Sequence, residues 1–394
     1  MLAYSRYAYD PRVRREAETL VRAGHRVSVV CTREGEEVPK EVINDVAVIR
    51  LPLSVRRGTP LRYLFQYVTF LLMCMAALRS IGRRQRILTV HVHSPPDFLI
   101  YAALGARTMG ARLILDLHEA FPELLAARFP GRVMSYRLAL LAQKAGCLLA
   151  DRVFVVNETI RDLLLGRGVP ADRVTVLYNS PDVSSAQLLP PPELREPGAR
   201  GLRLVYAGGV NRERDLETLL RAVAKLREHQ FVSLAVYGPG PEEYRSRLVE
   251  LSDALELGDV VQFGGVLPPD RVLSCIAGTD VGIITYERNP NTEVALSSRA
   301  FEYVALDKPL VLPDLRTMRL VFQNSALFYE PGNATDLASK IEFAASNDDA
   351  IRSIRERARA VYESARWEVQ AGRLIAAHSK SNRNPPGAGE GLCT

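Results

Sequence analysis

A chain of 394 residues exceeds the roughly 250–300 residues at which one hydrophobic core stops growing, so two domains are expected. With 47% hydrophobic and 24% charged residues it has the composition of an ordinary soluble globular protein, and its five singly scattered cysteines (Cys31, Cys74, Cys147, Cys275, Cys393) exclude a disulfide framework or a zinc knuckle. The net charge of +6 is uneven: residues 1–190 hold 26 Lys and Arg against 17 Asp and Glu, leaving 25 against 28 for the rest, so the front half is the part expected to meet an anionic surface, whether phosphate-rich substrate, membrane or nucleic acid.

The N-terminus, MLAYSRYAYDPRVRREAE, lacks a continuous apolar stretch and does not read as a signal peptide. Only Met1 to Tyr4 can serve as a strand before a first helix, Pro11 to Ala23, that ends at Gly24. A central strand so short leads to the expectation that the true start lies upstream. Further strands are expected at Arg26–Cys31, Val46–Leu51, Leu88–His93, Arg112–Leu117, Arg152–Val156 and Val174–Tyr178, each followed by turn chemistry or a helix, which is the pattern of a parallel sheet covered by helices. The most hydrophobic run, Tyr63 to Leu78, is shorter than the roughly 20 residues of a membrane span and contains Gln66 and Thr69. It reads as a helix packed on the core or as one lying against a membrane interface.

The proline-rich stretch from Gln187 to Gly201 breaks the pattern and reads as a linker. The same grammar restarts at Leu202 and runs to a long helical region ending near His378, followed by a polar, Pro- and Gly-containing tail expected to be disordered. The expected architecture is therefore α/β: two Rossmann-like, doubly wound domains, residues 1–190 and 191–378, facing a cleft, with a tail at 379–394. In such sheets ligands bind outside the carboxyl ends of the strands.

Three stretches carry candidate chemistry. In ALSSRAFEYVALDKPLVLPD, Ala295 to Asp314, Ser298 is expected to cap a helix whose unpaired N–H groups suit a phosphate. Glu302, one turn on and on the same face, is placed to accept hydrogen bonds from ribose hydroxyls, and Glu293 stands on a loop near the same mouth. In LVYAGGVNRERDLETLL, Gly208 and Gly209 end a strand and allow close backbone approach; Arg212 and Arg214, before a helix capped by Asp215, offer guanidinium forks to a diphosphate. Gly238, in the turn GPGP, is a further close-approach position. In the first domain, His91 and His93 share one face of a strand, and Asp116, His118 and Glu119 end the next. That set invites a metal reading, but no His-Glu-x-x-His or Asp-x-Asp accompanies it, and a neutral His118 facing a sugar hydroxyl is the preferred expectation.

Taken together, DPRVRREAETLVRAGHRVSVV, DLHEAFPE, ADRVFVVNETIRDLLLGRGVPADRVTVLYNSPD, YAGGVNRERDLETLLRA, SSRAFEYVALDKPLVLPD and EPGNATDLA resemble, in this order, the family 4 glycosyltransferases of the GT-B fold. The resemblance covers about residues 8 to 375. It implies retaining transfer of a sugar from a nucleotide diphosphate sugar to an acceptor sugar or lipid-linked glycan, with no metal or other cofactor and no nucleic acid. By position, Glu302 matches the family glutamate that holds the ribose, Arg214 the basic residue that neutralises the diphosphate with Arg212 beside it, and His118 the histidine facing the donor sugar. Three departures stand out: eight residues rather than seven separate Glu293 from Glu302, YSRYAYDPR replaces the Gly-rich loop after the first strand, and Asn157 stands where many members have Ser. The basic front half and the Tyr63 to Leu78 helix fit a lipid-linked acceptor at the inner face of an anionic membrane, and resemblance to bacterial polysaccharide and glycolipid assembly enzymes points the same way, to a cytoplasmic protein with peripheral membrane contact. A GT-B sugar-nucleotide epimerase, a catalytically silent binding protein and a metal hydrolase are the alternatives.

Overall fold

The structure, a computed structural model, describes residues 1–55, 60–181, 183, 201–267, 269–346 and 349–379. The expected linker and tail lie, apart from Gly201 and Ser379, outside the described residues. The chain forms two compact units, Met1–Leu115 with Leu149–Arg152 and Gln370–Thr394, and Asp116–Leu148 with Val153–Val369.

In the first unit, β1 (Leu2–Ala3) pairs in parallel with two neighbours, Leu2 lying opposite both Val30 and Val92. Helix α1 (Pro11–Arg22) forms where expected because Asp10 caps it, accepting the Val13 N–H at 3.1 Å, and proline occupies its first turn. Gly24, at φ 87°, ends it. Then follow β2 (Ser28–Thr32), β3 (Lys40–Ile43), β4 (Val46–Leu51), α2 (Pro60–Gly82), β5 (Thr89–Ser94), α3 (Leu104–Thr108) and β6 (Arg112–Leu117), which carries the chain across the division. The first five strands stand in the order β3-β4-β2-β1-β5, parallel except for the antiparallel pair β3 and β4. Strand β3 is absent from the sequence reading because it is partly exposed and polar. Its turn partners, Asn44 and Asp45, both adopt positive φ, as a tight hairpin requires.

Elements α4 (Phe121–Arg128), α5 (Val133–Leu149), β7 (Arg152–Val155), α6 (Glu158–Gly166) and β8 (Val174–Val176) follow. The grammar then repeats through β9 (Leu202–Ala207), α7 (Leu216–Arg227), β10 (Val232–Tyr237), α8 (Glu242–Ala254), β11 (Val261–Gly265), α9 (Pro269–Ala277) and β12 (Gly282–Ile283). It closes with α10 (Ser298–Ala305), β13 (Leu310–Pro313), α11 (Arg316–Phe322), β14 (Leu327–Tyr329), α12 (Ala334–Ala345), α13 (Asp349–Ala365) and α14 (Trp367–Ser379). Strands β9 to β14 make two three-stranded parallel sheets, β11-β10-β9 and β12-β13-β14. Thr279 bridges them: its hydroxyl accepts the Val205 N–H at 3.1 Å and donates to the Val281 carbonyl at 2.8 Å.

Alternation along β9 places Leu204 and Tyr206 in one apolar cluster, with Leu219, Val223 and Val236, and Val205 and Ala207 in another, with Phe301, Tyr303 and Leu312. A sheet buried on both faces is what parallel strands with covering helices produce. It leaves the carboxyl ends of β9, β10 and β12 as the places where polar chemistry can gather.

Candidate functional site

One such gathering lies at the ends of β9 and β12. A small cavity of about 160 Å³ is lined by Gly208, Gly209, Arg214, Ser297, Ser298 and Arg299, with Tyr206, Thr285 and Tyr303 behind them. Each part is held from the fold outward. The Gly208 N–H donates to the Tyr237 carbonyl at 2.9 Å, and the Tyr206 hydroxyl donates to the Gly209 carbonyl at 2.8 Å, fixing the turn that follows β9. Asp215 caps α7 from a left-handed conformation, accepting the Thr218 N–H at 3.4 Å, as its position before the helix predicts. That cap sets Arg214 at the cavity wall.

The Arg214 guanidinium lies 4.5 Å from the centre of the Tyr286 ring and donates to the Tyr286 hydroxyl; the Arg214 carbonyl accepts from Thr285 at 2.6 Å. Its Nε is buried with no hydrogen-bond partner. A buried guanidinium N–H of this kind costs free energy unless an acceptor arrives, and phosphate oxygens are its best geometric match. The N-terminus of α10 opens on the same cavity. Contrary to expectation, Ser297, not Ser298, is the capping residue: it makes no side-chain cap bond, and Ser298 is the first helical residue. The leading N–H groups are therefore left for another acceptor, and the macrodipole adds positive potential.

The other predicted residues divide. Glu302 is largely buried and pairs with Arg299, three residues before it, so it stands one step behind the cavity wall. Gly238 does not line the cavity. It is needed because a Cβ there would fall 1.6 Å from the Gly208 carbonyl oxygen, so its role is to let the turn after β10 lie against the turn after β9. Arg212 points outward, 85% exposed and 3.9 Å from Glu287, and is not brought to the cavity. Glu293 is likewise elsewhere: one carboxylate oxygen accepts the Arg316 N–H at 2.8 Å, at the start of α11, and the other accepts from Arg288 at 2.5 Å. That is the work of a helix-end anchor.

In the same compact unit, the His118 ring is oriented through Nε2, 3.0 Å from the fully buried carboxylate of Asp116. Beside it Glu119 is reachable by water yet ringed by protein. Burial pushes its carboxyl above the ordinary range, repulsion from Glu213 adds to this, and His118 and Arg214 oppose it. Asn157 caps α6, accepting the Ile160 N–H at 2.9 Å, and its amide donates to the Val294 carbonyl at 2.9 Å. The Asn157–Val294 contact joins residues far apart in the chain, so the sequence pattern does not show it. Arg299, which the sequence pattern does not single out, also lines the cavity.

The sequence profile described as glycosyl transferase 4-like domain matches residues 9–180, and that described as glycosyl transferases group 1 matches residues 198–361. The chain belongs to the glycosyltransferases and has the GT-B fold. Among solved structures it is similar to sucrose-phosphate synthase from Thermosynechococcus elongatus (17% identity, 96% of this chain and 97% of that one, TM-score 0.76). It is also similar to a glycosyltransferase from Rickettsia africae (14%, 98% and 98%, 0.69) and to HepE from Anabaena in complex with UDP-glucose (15%, 95% and 97%, 0.67). No curated protein sequence matches the chain.

Proposed function

We propose that this glycosyltransferase moves a sugar from a nucleotide diphosphate sugar to an acceptor with retention of anomeric configuration, through two lobes, residues 1–190 and 191–378. The observation that carries the reading is the convergence of a partnerless Arg214 Nε, the Gly208–Gly209 turn and the N-terminus of α10 on one small cavity. Departure of the nucleoside diphosphate breaks the bond between the anomeric carbon and the phosphate oxygen and builds negative charge on that oxygen. Arg214 and the helix end, already in place, meet that charge without reorganising. The acceptor hydroxyl attacks on the same face, the new glycosidic bond forms there, and its proton passes to the departing phosphate. His118, held by Asp116, faces the sugar, and Glu302 accepts from the ribose. With guanidinium and backbone donors supplying the countercharge, the transfer requires no metal ion or other cofactor.

Glycosyltransferases of the same fold have been captured with UDP-glucose, as HepE was, which favours a nucleotide sugar as donor. The basic front half favours an acceptor carried on a lipid at the cytoplasmic face of an anionic membrane, in polysaccharide or glycolipid assembly. The test is thermal stability against a panel of UDP- and GDP-sugars with and without EDTA, followed by NMR of the product anomer. Stabilisation by one nucleotide sugar regardless of EDTA, and an unchanged anomer, are expected. Stabilisation by metal alone, or an inverted product, overturns the proposal.

A further inference from the structure

Helix α2 presents two apolar faces, and the fold uses one of them. Gln66, Phe70, Cys74 and Leu78, spaced four apart, are buried against the first unit; Gln66 accepts from the Tyr4 hydroxyl at 3.1 Å, and the Tyr4 and Phe70 rings lie 5.2 Å apart. At 100° per residue, Leu61, Phe65, Val68, Leu72 and Met75 fall on the opposite side. All five are exposed, Leu61 by 76%, Phe65 by 71% and Leu72 by 58%. A helix that is apolar all round is ordinarily buried all round or meets lipid. Its length and composition would suit a membrane span, but spanning would strip the buried face from its partners. The helix can therefore lie along a surface and not across it.

Charge decides which surface. Between Asp45 and Asp97 the sequence contains eight arginines and no Asp, Glu or Lys. Of these, Arg62 near the start of α2 and Arg79, Arg83, Arg84 and Arg86 at and beyond its end are exposed. A second copy of the chain docking through this face would bring like charges together, whereas an anionic lipid surface neutralises them while its acyl boundary takes the apolar stripe. The geometry points to the outward face of α2 as a docking surface for an anionic membrane, with the helix in the interfacial plane and the arginines at headgroup level. This extends the lipid-linked acceptor reading but is tested without donor or acceptor, so each stands or falls alone.

The test is cosedimentation of the full chain with vesicles of phosphatidylcholine containing phosphatidylglycerol, against phosphatidylcholine alone, at low and high salt. Binding to the anionic vesicles that weakens with salt is expected. Phe65→Asp with Leu72→Asp should lower partitioning at least about tenfold with circular dichroism and melting temperature unchanged. Alanine at Arg83, Arg84 and Arg86 should lower it roughly a hundredfold on anionic vesicles, at about tenfold or less per arginine. A full chain that stays in the supernatant with anionic vesicles at low salt overturns the inference, as does a Phe65→Asp/Leu72→Asp variant that partitions like the parent. Concentration-dependent dimerisation that this double variant abolishes, without vesicle binding, would assign the face to a second copy instead.

Discussion

Two buried polar groupings, one in each compact unit, are built in contrasting ways. In the first, Arg12 pairs with Glu16 at 3.1 Å, His91 lies 3.7 Å from Glu16, the His91 and His93 rings stack at 4.4 Å, and His378 closes on His91 at 5.3 Å. Although Glu16, His91 and His93 bring ligand atoms within 4.8 Å of one another, the arginine on the glutamate and the face-to-face rings suit a self-contained knot better than a ligand set. In the second, Arg214 and Arg299 flank a helix N-terminus and a glycine turn, and one guanidinium N–H has no acceptor. A carboxylate answered by its own buried arginine marks a grouping that serves the fold; a guanidinium donor with no acceptor, beside a helix N-terminus, marks one suited to an anion.

The sharpest way to break that contrast is Arg214→Ala. Loss of a preorganised donor to a developing phosphate charge is expected to lower turnover by roughly 10²–10³-fold, while the melting temperature stays near that of the parent, because removing a buried Nε that has no partner offsets the lost contact with Tyr286. Activity within threefold of the parent would show the cavity to be as structural as the knot. Next in size is Gly238→Ala. Its methyl group would displace the Gly208 carbonyl, for which about 3 kcal/mol of destabilisation in urea titrations is expected, with weaker nucleotide binding. Gly258→Ala, where an added Cβ meets nothing within 4 Å, is the matched control and should cost under about 1 kcal/mol.

Much of the second grouping was legible in the sequence, and little of the first. Strands β4 and β6 begin and end where β-branched runs and turn residues place them, and Asp215 caps α7 because an acidic residue before an apolar helical pattern has few other uses. Gly208 and Arg214 could be named because strand end, turn and helix start are neighbours in the chain. Contacts between distant segments were not legible: Tyr286 beneath Arg214 is 72 residues away, and Glu16 meets His91 across 75. Adjacent serines at 297 and 298 offered two capping choices that only backbone dihedrals decide. Glu293 misled because a carboxylate on a loop near a binding helix resembles a ligand until a second helix end is seen to use it.

The first grouping yields a test of its own through pH. Burial, with His25 and Arg112 adding, lowers the His378 pKa from 6.5 to about 4, and its Nδ1 lies 2.9 Å from the Leu374 carbonyl. Between those values the unfolded chain binds a proton that the folded chain refuses, so stability falls as pH drops from about 6.5 towards 4, by up to about 3 kcal/mol. Urea titrations at pH 7, 5.5 and 4.5 should show this slope, and His378→Gln should flatten it. Nucleotide affinity, read in the other unit, should not follow the same substitution. If it does, the two groupings are coupled and the contrast fails.

The smallest effect addresses Glu302. Its carboxylate is engaged by Arg299, so two roles compete: holding that arginine at the wall, or accepting from the ribose of a bound nucleotide. Glu302→Gln removes the charge while keeping the shape, and about tenfold weaker nucleoside diphosphate binding is expected, in line with one charge-assisted hydrogen bond. Calorimetry with UDP and its 2′-deoxy counterpart separates the roles. If Glu302 grips the ribose, the parent prefers the ribonucleotide and the variant loses that preference. If it only positions Arg299, both ligands weaken equally and the preference survives. The first result is expected, because a fully positioned carboxylate one step behind a phosphate-binding helix end lies at the reach of the sugar that joins phosphate to base; the second would move ribose recognition to residues outside this helix.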